Sequence, residues 1–182
     1  MIQYLLLGLA ALVGLLLVAA AYKPPSFRVQ RSIRISTAAT RIFPHLADFR
    51  HWRAWSPWEE LDPALERAYG GAESGKSATY AWDGNKKAGA GSMEIIEALD
   101  PRRITIDLRF TRPFPAHNTT EFTLNEDGDA TEVTWAMHGP QPYLMRLMTF
   151  FYGMDKLIGP DFEKGLAKLK TEAERGEQGA AR

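Results

Sequence analysis

Four histidines, one acidic run and one glycine cluster are the residue types whose spacing could carry chemistry. His45 and His51 fall in a helix-like segment and its exit, while His117 and His138 fall on strand-like runs facing away from the interior. No pair has the spacing of a metal-binding helix, and none neighbours a Ser or Asp in a catalytic arrangement, so all four read as surface or structural histidines. Glu59-Glu60 and Asp62 would make an acid/base pair if they faced a cavity, because desolvation raises a carboxyl pKa. Beside Pro63 they read instead as solvated loop residues. Gly84, Gly89 and Gly91 lie among Asp83, Asn85, Lys86 and Lys87, a spacing that matches neither a P-loop nor a dinucleotide fingerprint and reads as a hairpin. Asn118-Thr119-Thr120 satisfies the glycosylation sequon but lies within a strand, and matters only if the domain is extracellular. The sequence has no cysteine, which removes disulfides, thiolate zinc sites and thiol nucleophiles together. No catalytic residue, metal ligand or cofactor is assigned from these patterns.

At 182 residues the chain has room for one domain and a short appendage. Lys and Arg number 22, as do Asp and Glu, so no global field recruits nucleic acid. Five Trp, nine Phe and six Tyr supply aromatics enough for a core or for the wall of an apolar pocket.

Ile2 to Ala21 carries no charge and is rich in leucine, long enough to cross a bilayer core of about 30 Å. The expectation is an uncleaved single-pass anchor in the inner (cytoplasmic) membrane. A signal peptide cleaved after Ala19-Ala20-Ala21 is the alternative, but it lacks a basic leader and its apolar run is too long. Lys23, Arg28, Arg31, Arg34 and Arg41 follow the span and none precedes it, which puts the domain on the cytoplasmic side. Arg28 to Arg34 also read as the solvated face of a strand. Lys23-Pro24-Pro25 is a stiff exit that holds the domain close to the membrane.

Phe27 to Ile35 alternates apolar and polar residues as a strand with one wet face. A helix capped by Ser36 or Thr37 follows, through Ile42, Phe43, Leu46 and Phe49, with Pro44 within it. His51 to Pro63 is aromatic and proline-rich and folds back over the sheet. Leu65–Tyr69, Ser77–Trp82, Gly91–Leu99, Arg103–Phe110, Ala116–Leu124 and Thr131–His138 then form an antiparallel meander separated by Gly, Pro, Asp and Asn turns. Tyr143 to Tyr152 is apolar nearly all round and reads as a buried helix, or else as a lid or membrane-facing surface. Gly153, Gly159 and Pro160 break that run. A terminal amphipathic helix spans about Ile158 to Ala173, with Gly165 on its buried face where something must come close.

Strand, helical pair, meander and terminal helix together resemble the START-like (SRPBCC) superfamily, in its polyketide cyclase/dehydrase and lipid-transport branch. The resemblance is carried by Trp52-Arg53-Ala54-Trp55-Ser56-Pro57-Trp58-Glu59 and by Asp161-Phe162-Glu163-Lys164-Gly165-Leu166-Ala167-Lys168-Leu169-Lys170, which look like stretches of membrane-anchored bacterial members. It covers roughly Phe27 to Glu174. It implies an α+β helix-grip fold, a curved antiparallel sheet around a long C-terminal helix with an apolar cavity between them. It carries no catalytic residue across.

The expected organisation is an anchor at 1–22, a linker at 23–26, a helix-grip domain at 27–175 and a disordered tail at 176–182. The candidate cavity residues are Tyr80, Trp82, Met93, Phe110, Phe122, Trp135 and Met137, with Phe151 and Tyr152 on the covering helix. The first functional reading is a membrane-anchored binder or carrier of a hydrophobic small molecule or lipid. Two others stand beside it: a protein-interaction module using Trp52, Trp55 and Trp58, and a cyclase/dehydratase-like enzyme.

Overall fold

Alternation along the chain becomes seven strands of one antiparallel sheet, in the order β1-β7-β6-β5-β4-β3-β2. The strands are β1 (Ser26–Ile35), β2 (Glu66–Gly71), β3 (Ala78–Asp83), β4 (Ala90–Leu99), β5 (Arg103–Arg112), β6 (Ala116–Asp127) and β7 (Ala130–Pro140). The helices are α1 (Ile2–Ala21), α2 (Ala39–Ala47), α3 (Trp52–Trp55), α4 (Tyr143–Met148) and α5 (Gly153–Ala180). This computed structural model describes the backbone of residues 1–180 and the side chains of 1–175. The expected tail begins inside α5, and its last two residues, Ala181 and Arg182, lie outside the described residues.

Period-2 patterning puts Ile104, Ile106, Phe122, Leu124, Val133 and Trp135 on the inner face, all buried. Helix α5 lies across that face, burying Phe162, Leu166, Leu169 and Ala173 at helical spacing. The helix-grip architecture expected from the sequence is therefore present. Gly165 lets helix and sheet come close: a Cβ there would sit 2.8 Å from Trp135 Cζ3 and 3.1 Å from Pro57 Cδ.

The fold-back segment is built from its own carbonyls. The last four carbonyls of a helix have no partner within it, and all four of α2 find one. Asp48 N–H donates to Pro44 O, and Gly75 N–H to Ala47 O. The Trp55 indole donates to His45 O at 3.0 Å and the Trp52 indole to Leu46 O at 3.1 Å. At the other end, neither Ser36 nor Thr37 caps α2. The first residue past the cap, Ala39, donates its N–H to Glu126 at 3.2 Å, so the cap comes from β6.

Two expectations near the C-terminus are corrected. The apolar run after β7 is helical only over Tyr143–Met148 and α4 buries no residue. The final helix starts at Gly153, before the expected Ile158, and carries Gly159 and Pro160 in its interior. A mid-helix proline loses one hydrogen bond, and tertiary ties hold this turn. Arg31 pairs with both Asp155 and Glu163, at 2.7 and 2.6 Å, and Gly159 leaves the space its guanidinium occupies. Arg31 thus lies on the helix-facing side of β1 and leaves the solvated face to Arg28 and Arg34. Those two pair with Glu121 and Asp127.

The strand register brings the start of β1 and the end of β7 together at one end of the sheet, with the β3–β4 and β5–β6 hairpins beside them. Helix α1 joins the domain at that end through Tyr22 to Pro25.

Candidate functional site

Between sheet, fold-back segment and α5 lies a cavity of about 140 Å³ with a predominantly apolar wall. Alternate residues of the strands supply one side: Tyr80 and Trp82 from β3, Met93 from β4, Phe110 from β5, and Trp135 and Met137 from β7. The fold-back segment adds Trp52, Ser56, Trp58 and Glu59, and α5 adds Ile158 and Phe162. Trp135 and Phe162 stack, with centroids 4.2 Å apart and planes 6° from parallel, and Trp58 meets both edge-on.

Six of the nine residues expected to line a cavity do so. Phe122 is fully buried, wedged between Trp52, Trp55 and Trp135 instead of facing the space. Phe151 and Tyr152 are off the cavity altogether and 73% and 69% exposed, because the helix that would have carried them inward stops at Met148. The tryptophans expected at an interaction surface are also placed differently. Trp55 is wholly buried, Trp52 nearly so, and Trp58 is on the cavity wall, so they form no exposed cluster. Two of them are spent on capping α2, which the spacing of aromatics alone could not show.

Glu59, expected as a solvated loop residue beside Pro63, is on the cavity wall instead. In the 3₁₀ turn Pro57–Glu60 successive side chains point about 120° apart, so its two acids separate. Glu60 turns out to Lys164 and Lys168, whereas Glu59 turns inward with a side chain only 8% exposed. Its Oε1 accepts from the Tyr80 hydroxyl at 2.6 Å and its Oε2 from Arg67 Nε at 2.6 Å. Burial, together with the bond to Glu59, pushes the Tyr80 phenol well above its ordinary range. Burial is the largest influence on the Arg67 cation and works against it, but the bond to Glu59 and the charges of Glu59, Tyr80 and Tyr69 together outweigh it and the net shift is upward. Asp62 has a different task. Its oxygens take the N–H groups of Ala64 and Asn85, tying the loop to the β3–β4 hairpin. His117 and His138 are on the outer face beside Asp107 and Glu121.

The cavity wall also holds a donor without a partner: the Trp135 indole N–H is buried and makes no hydrogen bond among the described residues. The arrangement is a mostly apolar chamber with a carboxylate, Glu59, held between a phenol and a guanidinium.

A family model described as polyketide cyclase / dehydrase and lipid transport matches residues 26–174. The chain belongs to this family. Its match runs from the first residue of β1 into α5, taking in every element that lines the cavity and omitting α1. Solved structures share the fold at low identity. One from Mesorhizobium loti is 16% identical with a TM-score of 0.59, covering 82% of this chain and 98% of its own. One from Chromobacterium violaceum is 13% identical with a TM-score of 0.56, covering 83% and 98%. A putative protein in the dynemicin biosynthetic locus is 12% identical with a TM-score of 0.55, covering 82% of this chain and 48% of its own. No curated protein matches the sequence. The likeness to these structures is one of fold alone.

Proposed function

We propose that this protein is a membrane-anchored binding or carrier domain that holds a small apolar molecule, or one end of a lipid, in the cavity between sheet and α5. The single observation that carries the reading is the chamber itself. A void of this kind has no partner atoms on one side, so its lining loses dispersion contacts unless a guest restores them. An apolar void of roughly 150 Å³ takes a molecule the size of benzene. A volume of about 140 Å³ therefore suits a single ring or a few methylenes, and Met93 and Met137 give the wall some adaptability. Glu59 retains lone pairs toward the chamber and can orient a guest that carries a donor. The enzymatic reading draws on the same residue, the one carboxylate on the wall.

Helix α1 supports the anchor: it has a mean hydropathy of 2.5 and almost no burial against the domain. The basic residues that follow it favour the cytoplasmic side of the inner membrane.

The test uses toluene as the guest. Wild-type chain should melt at rising temperature as toluene is added, since a ligand of the native state at about 100 times its Kd stabilises by roughly 2.7 kcal/mol. Ala88→Leu, which fills the chamber from the β3–β4 hairpin, should remove the shift. Equal behaviour of the two proteins would count against a usable cavity.

A further inference from the structure

Apolar residues left over by the cavity lie at the α1 end of the sheet. Leu144, Met148, Phe151, Tyr152 and Leu157, on α4, the turn after it and the first turns of α5, are each more than half exposed. Phe114, in the β5–β6 hairpin, is 49% exposed at the same end of the sheet. Isolated surface apolar residues need no explanation, but a contiguous group of this kind marks a contact surface.

What covers it is indicated by α1. The Tyr143 hydroxyl donates to Leu17 O at 2.9 Å, and Arg146 donates to Ala21 O and Lys23 O, each at 2.9 Å. Lys23 reaches back to donate to Phe150 O at 2.6 Å. The start of α4 is thus pinned beside the last turn of α1. Leu17 lies four residues before the end of that helix, which at 1.5 Å per residue is about 6 Å inside it. Taking α1 as a membrane span, as proposed above, a phenol bonded at Leu17 sits in the interfacial layer where Tyr and Trp concentrate. Lys23 and Arg146 then lie at headgroup level, where basic side chains are favoured.

We infer that the α4–α5 corner, together with Phe114 at the same end of the sheet, is a bilayer-docking face that inserts its apolar side chains into the interface next to the anchor. The domain then does not swing freely on its linker. Its cavity end, which carries Trp82, Ala88, Phe110 and Ile158, is held toward the lipid, so an apolar guest can pass between bilayer and chamber without crossing water.

The chain has no cysteine, so single reporters can be placed in the full-length protein. Leu144→Cys, Phe151→Cys and Phe114→Cys would each carry an environment-sensitive fluorophore in phosphatidylcholine vesicles. Asp129→Cys, in the β6–β7 hairpin at the far end, is the control. Apolar faces of interfacial segments sit roughly 5–10 Å into the headgroup and acyl boundary, so spin-labelled lipid should quench the three reporters about twofold or more and leave the control unchanged. Three reporters as water-exposed as the control, in a chain that floats with the vesicles, would overturn the docking face and leave the anchor standing. A chain that does not float would overturn both. Reporters shielded from water but not quenched by lipid would assign the face to a protein partner and also overturn the proposal. Toluene binding read on the same vesicles stands apart from all of these, since docking can hold whether or not the cavity takes a guest.

Discussion

Glu59 shows how much one side chain decides in this chamber. It is buried with two donors, and its partner Arg67 has a side chain only 17% exposed. Breaking such a pair from one side leaves an uncompensated charge, which costs far more than the pair contributes. Arg67→Met is therefore expected to destabilise the fold by about 3 kcal/mol in urea denaturation, and Arg67→Met with Glu59→Gln to recover most of that loss. A double variant no better than the single one would show that Arg67 acts by packing alone. The same residue marks the limit of sequence reading. The pair Glu59-Glu60 is visible in the chain, but which of the two faces inward depends on the phase of a four-residue 3₁₀ turn, and no periodicity that short can be read. Residues on long strands fared better, because six or more alternating positions set the inner face of Tyr80, Trp135 and Met137.

At the scale of elements, the contact between α5 and the sheet holds the grip together, and Gly165 is a tight point in it. Alanine favours a helix over glycine by about 1 kcal/mol, so on propensity alone Gly165→Ala would stabilise. Against that, a methyl would meet the Trp135 ring at 2.8 Å and Pro57 at 3.1 Å, two groups that are themselves packed. Overpacking of this kind costs about 1–3 kcal/mol. Gly165→Ala should therefore lower stability, with the loss read from the urea midpoint at unchanged slope; a gain would mean that helix and sheet can part without penalty. The strands and the buried face of α5 were legible because their patterns run for six residues or more. The α4 region was not. An all-apolar run looks the same whether it is buried by protein or by lipid, and nothing in its periodicity marks the stop at Met148 or the left-handed Gly153, φ 68°, where α5 begins. The start of α5 was missed for the opposite reason. Gly159 and Pro160 are helix breakers locally, and only the ion pairs from Arg31 show what keeps them helical.

For the whole molecule, the parts have one polarity. A membrane-length helix, an exposed apolar corner and the lip of an apolar chamber share one end of the sheet, while the far end is neutralised by pairs such as Arg34 with Asp127 and Arg103 with Glu97. With equal numbers of basic and acidic residues, nothing long-range draws a charged partner. What distinguishes this molecule is enclosed apolar space beside apolar surface. The claim that this space exists to be occupied is tested most directly by mass spectrometry of the organic extract from purified full-length chain. Ala88→Leu, prepared in parallel from the same membranes, is the reference. One apolar molecule should be enriched with the wild-type chain and depleted with the filled variant. Identical extracts from the two would contradict it, and the chamber would then be a packing defect in a domain whose work lies elsewhere.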